Sequence, residues 1–204
     1  MLLKVILVRH GETDWNRIHR LQGGDSDTPL NETGIAQARR LALRLKDEDV
    51  RAVYASPLQR ALDTAREIAR YHQLEVKTLS SLKEIYVGKL EGADSTKMKL
   101  RWDQLLCQEG DNEARIYGVE PIAQVQMRTW SAIKEIAGEH REGVVVVVSH
   151  YVAIMAIVCA VLGLPLQQIV RLKLNSGTIT SFLMYDDGSA RLELFNDGCH
   201  NLNS

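Results

Sequence analysis

Short, almost continuously apolar runs alternate along the chain with longer segments in which apolar residues recur at helical intervals. Residues 3–8 (LKVILV) form the first run, and residues 144–148 are five consecutive valines. A strand of a parallel sheet is covered on both faces and therefore has a near-continuous hydrophobic pattern. Both runs predict buried parallel strands, and residues 51–56 (RAVYAS) predict a third.

Three other segments have apolar residues at intervals of three and four, namely residues 35–45, 58–69 and 122–136. This interval places the apolar residues on one face of a helix. Asn31 or Thr33 is expected to cap the first helix, because a short polar side chain at that position accepts a hydrogen bond from a free backbone N–H. Each segment therefore predicts an amphipathic helix.

Two further features predict the remaining elements. We expect Ser56 to be the N-cap of the second helix, with Pro57 at its first position. Residues 178–185 and 191–195 predict a closing hairpin around residues 186–188 (DDG). The alternation of strands and helices predicts an α/β fold, a three-layer α/β/α sandwich with a mainly parallel central sheet.

Residues 144–164 form an apolar stretch of the length of a membrane span, for which about 20 apolar residues suffice. Five consecutive β-branched valines nevertheless favour a strand. The polar interruption Ser149-His150-Tyr151 falls where a strand would turn into a helix. The stretch is therefore predicted to be a buried strand followed by a buried helix.

The chain has 204 residues, and we expect residues 1–204 to form a single domain with a polar, cap-like insertion around residues 93–118. A formal net charge of -1 provides no electrostatic reason to expect a nucleic acid or a membrane as partner. The three cysteines lack CxxC spacing, and the N-terminus has no signal-type pattern, so a reduced, cytoplasmic setting is expected. The sequence leaves a homo-oligomer open.

Polar residues follow the predicted parallel strands where each strand ends. Arg9 and His10 end the first strand, Arg60 comes soon after the second, and His150 follows the valine strand. Ligand sites of such sheets form beyond the carboxyl ends of the strands, so these side chains can converge. His150 alone would be read more readily as a buried structural histidine. Two imidazoles, of His10 and His150, beside the guanidinium groups of Arg9 and Arg60 predict a site for a compact dianion, because the planar fork of arginine suits phosphate.

Several sequence blocks occur in an order that is typical of one family. They are RHGETDWN (9–16), LQGGDSDTPLNETGIAQA (21–38), YASPLQRALDTA (54–65), LKEIYVGKLEG (82–92), VVVVVSH (144–150) and NDGCH (196–200). In these blocks the chain resembles the histidine phosphatase superfamily, in its phosphoglycerate-mutase-like branch. The resemblance implies a phosphoglycerate-mutase-like fold and covers nearly the whole chain except residues 93–118.

The resemblance also implies a division of catalytic roles. His10 would be the nucleophile that attacks phosphorus and forms a phosphohistidine. Glu84 would protonate the leaving oxygen and then deprotonate the water that hydrolyses the phosphoenzyme. The groups that would bind the transferring phosphoryl oxygens are Arg9, Arg60, His150 and Asn16. Covalent catalysis of this kind divides one difficult displacement into two easier steps, and it needs no metal or other cofactor here.

The substrate side of the site is less strongly indicated. Gln22 and Gly23 are candidates for lining it, although a tight turn explains LQGGD equally well. Tyr151 stands where the family usually has glycine, so its ring would narrow the pocket or its hydroxyl would contact the substrate. The basic residues His19 and Arg20 are expected in a solvated loop rather than in substrate recognition.

Three functions agree with these features. The first is a phosphomonoester hydrolase that acts through phosphohistidine on a small phosphorylated metabolite. The second is a mutase, which returns the phosphoryl group to a bound intermediate. Family mutases usually have a longer insertion after the acidic segment, so the short stretch here favours hydrolysis. The third is a phospholigand-binding module without activity, against which the intact set of candidate residues argues.

Overall fold

The computed structural model describes residues 2–97, 104 and 112–201. Within them, six strands form one sheet of order β3-β2-β4-β1-β5-β6. The strands are β1 (Leu2–Arg9), β2 (Val50–Ala55), β3 (Val76–Thr78), β4 (Gly143–Ser149), β5 (Ile179–Tyr185) and β6 (Ala190–Asp197). The described helices are α1 (Asp14–Arg17), α2 (Glu32–Leu45), α3 (Gln59–His72), α4 (Asn112–Tyr117), α5 (Ile122–Glu139) and α6 (Tyr151–Leu162).

The strands β1 to β4 run parallel to one another, whereas β5 pairs antiparallel with both β1 and β6. In the parallel pair of β1 and β4, Arg9 is opposite Ser149. The carboxyl ends of β1, β2 and β4 therefore meet at one edge of the sheet. This topology confirms the predicted α/β class with its mainly parallel sheet.

Two hydrophobic clusters cover the two faces of this sheet. Along β1, Val5 and Leu7 belong to the cluster that includes residues of α5 and α6. Ile6 and Val8 belong to the cluster that includes residues of α2 and α3. Because successive side chains of a strand point to opposite faces, a strand between two helical layers must be apolar at nearly every position. This is the physical origin of the continuous runs in the sequence.

The start of the second predicted helix differs from the expectation. Asn31 caps α2 as predicted, since its Oδ1 accepts the N–H of Gly34 at 2.9 Å. The prediction of Ser56 as N-cap and Pro57 at the first position was wrong, because α3 begins at Gln59. Asp27, from a distant loop, accepts the N–H of Gln59 at 2.6 Å. A capping group supplied from elsewhere in the fold leaves no local signal in the sequence.

The apolar stretch 144–164 divides as predicted into strand β4 and helix α6. None of the helices in residues 2–97 and 112–201 is long and apolar enough to cross a membrane. The predicted cap-like insertion lies mostly outside the described residues, which include only 93–97, 104 and 112–118 of it.

A close approach of two backbone segments positions the loop that follows β1. A Cβ atom added at Gly34 would overlap the carbonyl oxygen of Glu12, and one added at Gly11 would overlap Gly34. Glycine at both positions therefore lets the start of α2 pack directly against the loop that carries His10.

We predict that Gly34→Ala lowers the free energy of unfolding by about 1–3 kcal/mol, because overpacking forces the backbone apart. Gly138→Ala is the matched control. Gly138 lies in the exposed part of α5, where an added Cβ meets nothing within 4 Å. There alanine should stabilise the helix by up to about 1 kcal/mol. Urea unfolding measures both values, and equal stability of the two variants would contradict the packing argument.

Candidate active site

The candidate active site lies at the carboxyl edge of the parallel strands. Arg9 is the last residue of β1, and His150 directly follows β4. The backbone N–H of His10 donates to the carbonyl of Ser149 at 3.1 Å, which ties the two strand ends together. The imidazole rings of His10 and His150 lie with their centroids 5.1 Å apart, at an interplanar angle of 56°. The structure thus brings together the two histidines that the sequence separates by 140 positions.

The hydrogen bonds of His10 determine which ring nitrogen is free. Nδ1 lies 2.7 Å from the carbonyl oxygen of Gly11. A carbonyl oxygen only accepts, so Nδ1 carries the proton and the lone pair of the neutral ring is on Nε2. Burial, followed by the charges of Arg60 and Arg9, holds the pKa of His10 well below its ordinary value. The neutral imidazole is the form in which histidine acts as a nucleophile.

His150 is fully buried, and neither of its ring nitrogens has a hydrogen-bond partner among the described residues. Burial, then the charge of Arg60, lowers the pKa of His150 well below its ordinary value. Buried polar groups are nearly always hydrogen-bonded in folded proteins. An unpartnered imidazole facing His10 therefore indicates a place for a ligand atom.

Arg60 is held by neutral groups. Its side chain is fully buried and donates to the carbonyl oxygens of Ser26 at 2.7 Å and Gly23 at 3.1 Å. No described carboxylate forms a salt bridge with it, and its Nε has no partner in this part of the chain. Burial lowers the pKa of Arg60 to about 10. The group remains cationic at neutral pH, and its charge is available to an anion.

Arg9 is oriented in a similar way. One of its terminal nitrogens donates to the carbonyl of Leu174 at 2.7 Å, and its Nε has no partner within residues 2–97 and 112–201. The ring of Tyr151 lies under the guanidinium, 5.2 Å from its central carbon. The hydroxyl of Tyr151 donates to Leu172 at 3.0 Å. The tyrosine thus packs against Arg9 and contacts the segment before β5.

Glu84 approaches the site from the loop that precedes the 3-10 helix Gly88–Leu90. Its carboxylate accepts the N–H of Val152 at 3.1 and 3.2 Å and that of Ala153 at 3.2 Å, both in the first turn of α6. The side chain is buried, and burial raises the pKa of Glu84 above its ordinary value, although these hydrogen bonds and the two arginines act in the opposite direction. A raised pKa favours the protonated form of the carboxyl group, which is the form a proton donor needs.

The residues expected on the substrate side occupy different places. Asn16, Gln22 and Tyr151 line a cavity of about 700 Å³, together with His10, Arg9 and Glu84. The amide of Gln22 is also bound to two threonine hydroxyls, those of Thr13 and Thr28. Asn16 completes the capping box of α1. Gly23 is not among the lining residues, and its carbonyl instead accepts from Arg60.

Sequence reasoning missed some of the cavity wall. His19 and Arg20 are exposed, as expected for a solvated loop, and both also line the cavity. His19 has a φ of 57°, a left-handed conformation that is uncommon for histidine. Asn175 and Ser176 line the opposite side. In the sequence, their polar side chains just before the last hairpin were the signal that could have identified them.

The fold and this site define an enzyme that acts on a phosphoryl group. The family model for the histidine phosphatase superfamily (branch 1) matches residues 5–198. The chain belongs to this superfamily. Phosphomonoester hydrolysis through a phosphohistidine, the activity expected from the sequence, is confirmed at the level of the reaction class by this membership and by relatives that are named as phosphatases.

The relatives themselves carry several names. Phosphoserine phosphatase 1 of Hydrogenobacter thermophilus is 34% identical over 98% of this chain and 94% of its own. A protein named probable phosphoglycerate mutase GpmB, from Proteus mirabilis, is 32% identical over 88% of this chain and 84% of its own. Among solved structures, a phosphoserine phosphatase mutant of Entamoeba histolytica in complex with phosphoserine has a TM-score of 0.85 and 30% identity. That match covers 98% of this chain and the whole of the other.

We predict that stability falls with decreasing pH because two buried imidazoles resist protonation. The pKa of His10 and of His150 is lowered in the folded chain. Below about pH 6.5 the unfolded chain therefore binds protons that the folded chain does not. Each histidine then lowers the free energy of unfolding by up to about 1.4 kcal/mol per pH unit.

Urea unfolding between about pH 7 and pH 5.5 in phosphate-free buffer measures this slope. His150→Asn should reduce it. His19→Asn, at an exposed position whose left-handed backbone asparagine tolerates, is the matched control and should retain it. A slope that is unchanged in His150→Asn would contradict the prediction.

Proposed function

We propose that the protein hydrolyses phosphomonoesters of small organic acids, with His10 as the nucleophile. The observation that carries this proposal is the pair of facing imidazoles, beside two arginines that form no salt bridge with a described carboxylate. Nε2 of His10 is free, and His150 has no hydrogen-bond partner among the described residues. A phosphoryl group has the charge and the acceptor oxygens that this arrangement lacks.

In the first step, the lone pair on Nε2 of His10 forms a bond to phosphorus while the bond from phosphorus to the ester oxygen breaks. The leaving oxygen takes the proton of the Glu84 carboxyl group. In the second step, the Glu84 carboxylate takes a proton from water, whose oxygen attacks phosphorus. The phosphorus–nitrogen bond breaks, and its electron pair returns to Nε2. Glu84 ends protonated and the cycle is complete.

Arg9, Arg60 and His150 bind the phosphoryl oxygens during both steps. Their N–H groups would stabilise the negative charge of the transition state, and phosphoryl transfer depends mainly on such positioning and charge. Because the guanidinium groups supply this positive charge, the proposed reaction uses no metal. Asn16 and Gln22 line the adjoining wall, where they can contact the same group or the ester oxygen.

The size of the cavity and the names of the relatives support the proposed substrate class. A cavity of about 700 Å³ suits a metabolite, and its outer part contains the basic residues His19 and Arg20. A relative at 34% identity is named phosphoserine phosphatase, and a similar structure at 26% identity is a glucosyl-3-phosphoglycerate phosphatase. Both names describe phosphate esters that contain a carboxylate. A phosphorylated small acid such as phosphoserine is therefore the proposed substrate.

Other properties stay predictions from the sequence. They are the cytoplasmic location, the lack of a nucleic-acid or membrane partner, and the open question of a homo-oligomer.

We predict that His10→Ala lowers turnover of an aryl phosphate by about 10⁴-fold or more, because the covalent step is lost. Mixing the wild-type enzyme with labelled substrate and quenching in base should trap an acid-labile phosphoenzyme that the variant lacks. Turnover should persist in chelator. His72→Ala, on the last turn of α3, is the control and should behave like the wild type. A phosphoenzyme in His10→Ala, or activity that needs added metal, would overturn the mechanism.

A phosphoglycerate mutase is the second candidate, since several relatives that are 32–34% identical carry that name. Incubation with 3-phosphoglycerate distinguishes the two activities. A phosphatase releases inorganic phosphate and glycerate, whereas a mutase forms 2-phosphoglycerate without net release of phosphate. We predict release of phosphate, with phosphoserine hydrolysed in the same assay. Accumulation of 2-phosphoglycerate alone would favour the mutase.

A further inference from the structure

Arg128 is a partly buried arginine of helix α5 that lies outside the cavity lining. All five N–H donors of its guanidinium group are used. One terminal nitrogen donates to the carbonyls of Ser81 at 2.8 Å and Lys83 at 2.7 Å, and the other donates to the carbonyl of Glu84 at 3.1 Å. The remaining two donors bind the carboxylate of Glu120 at 2.8 and 2.9 Å.

Glu120 holds the same loop from its other end. Its carboxylate accepts the N–H of Tyr86 at 3.1 Å, and its own backbone N–H donates to the carbonyl of Tyr86 at 2.8 Å. The side chains of Arg128 and Glu120 are 19% and 10% exposed, so solvent screens this ion pair far less than one on the surface. The pair therefore fixes the backbone on both sides of Glu84.

The segment around Glu84 needs such support because it belongs to no strand and to no α-helix. The Ser149 hydroxyl donates to Leu82 at 2.8 Å, and the carbonyl of Ile85 accepts the N–H of Gly24 at 2.9 Å. The Arg128–Glu120 pair binds the backbone polar groups of the residues on both sides of Glu84. A shift of their backbone would withdraw the Glu84 carboxyl group from the first turn of α6. We infer that Arg128 is a positioning residue that holds Glu84 in place for proton transfer.

This inference rests on the proposed role of Glu84 as general acid, and the dependence on the leaving group tests it. Phenyl phosphate needs a proton on its departing oxygen, whereas 2,4-dinitrophenyl phosphate does not. The value of kcat/KM reports the steps up to departure of the phenol, so the later attack of water does not affect it. A defect in proton donation lowers kcat/KM for phenyl phosphate selectively. A merely structural defect lowers both values equally.

We expect Arg128→Met to lower kcat/KM for phenyl phosphate by about 10²-fold, the typical cost of a displaced catalytic group, and to leave that for the dinitrophenyl ester nearly unchanged. Arg128→Lys, which keeps the charge but not the planar fork, should give an intermediate selective loss. Glu120→Gln is a second variant in case Arg128→Met does not fold. Its amide still accepts from Tyr86 but loses one bond to Arg128.

Two further variants make the outcomes distinct. Glu84→Gln sets the size of the selective effect, and Lys4→Met removes a part-buried ion pair with Glu48 on another part of the fold. Lys4→Met should leave the ratio of the two kcat/KM values unchanged. Equal losses on both esters in folded Arg128→Met or Glu120→Gln, with a selective loss in Glu84→Gln, would overturn the positioning role alone. No selective loss in Glu84→Gln would overturn the proposed acid as well.

Discussion

Two guanidinium groups held by neutral carbonyl oxygens, Arg60 fully buried and Arg9 at the cavity wall, are the constraint on which the rest of the site depends. Arg9 and Arg60 donate to Leu174, Ser26 and Gly23, and no described carboxylate pairs with either group. Burying cations in this way is costly unless a partner compensates the charge. The uncompensated charge favours a bound anion at this place, while burial, followed by the charge of Arg60, favours the neutral form of His10 and His150.

Glu84 experiences two opposed influences. Burial favours its neutral form, while the N–H groups at the start of α6 and the two arginines favour the carboxylate. Burial is the larger influence, so the pKa of Glu84 lies above its ordinary value, in the direction that a proton donor needs. The same first turn of α6 follows directly after His150, so strand β4 and helix α6 together place the Glu84 carboxyl group in the same site as His150.

Tyr151 illustrates how a departure from the family pattern is accommodated. Its hydroxyl donates to Leu172 and its ring lies against Arg9, while part of the side chain lines the cavity. A glycine at this position would leave Arg9 without the ring. The tyrosine therefore connects Arg9 to the segment before β5 and forms part of the cavity wall between them.

The sequence by itself determined the positions of the buried strands, because a strand between two helical layers must be apolar on both faces. It also determined which polar residues lie at the carboxyl ends of these strands. His10, His150 and Arg60 could be assigned to one edge for this reason alone. Only the tertiary structure showed that Asp27 caps α3 and that His19 and Arg20 line the cavity. It also showed the hydrogen bonds by which Arg128 holds the loop of Glu84. These contacts join segments that are distant in the chain. The local sequence pattern indicates the type of an element and which of its residues are buried. It does not indicate which side chains of other elements will form hydrogen bonds with its backbone.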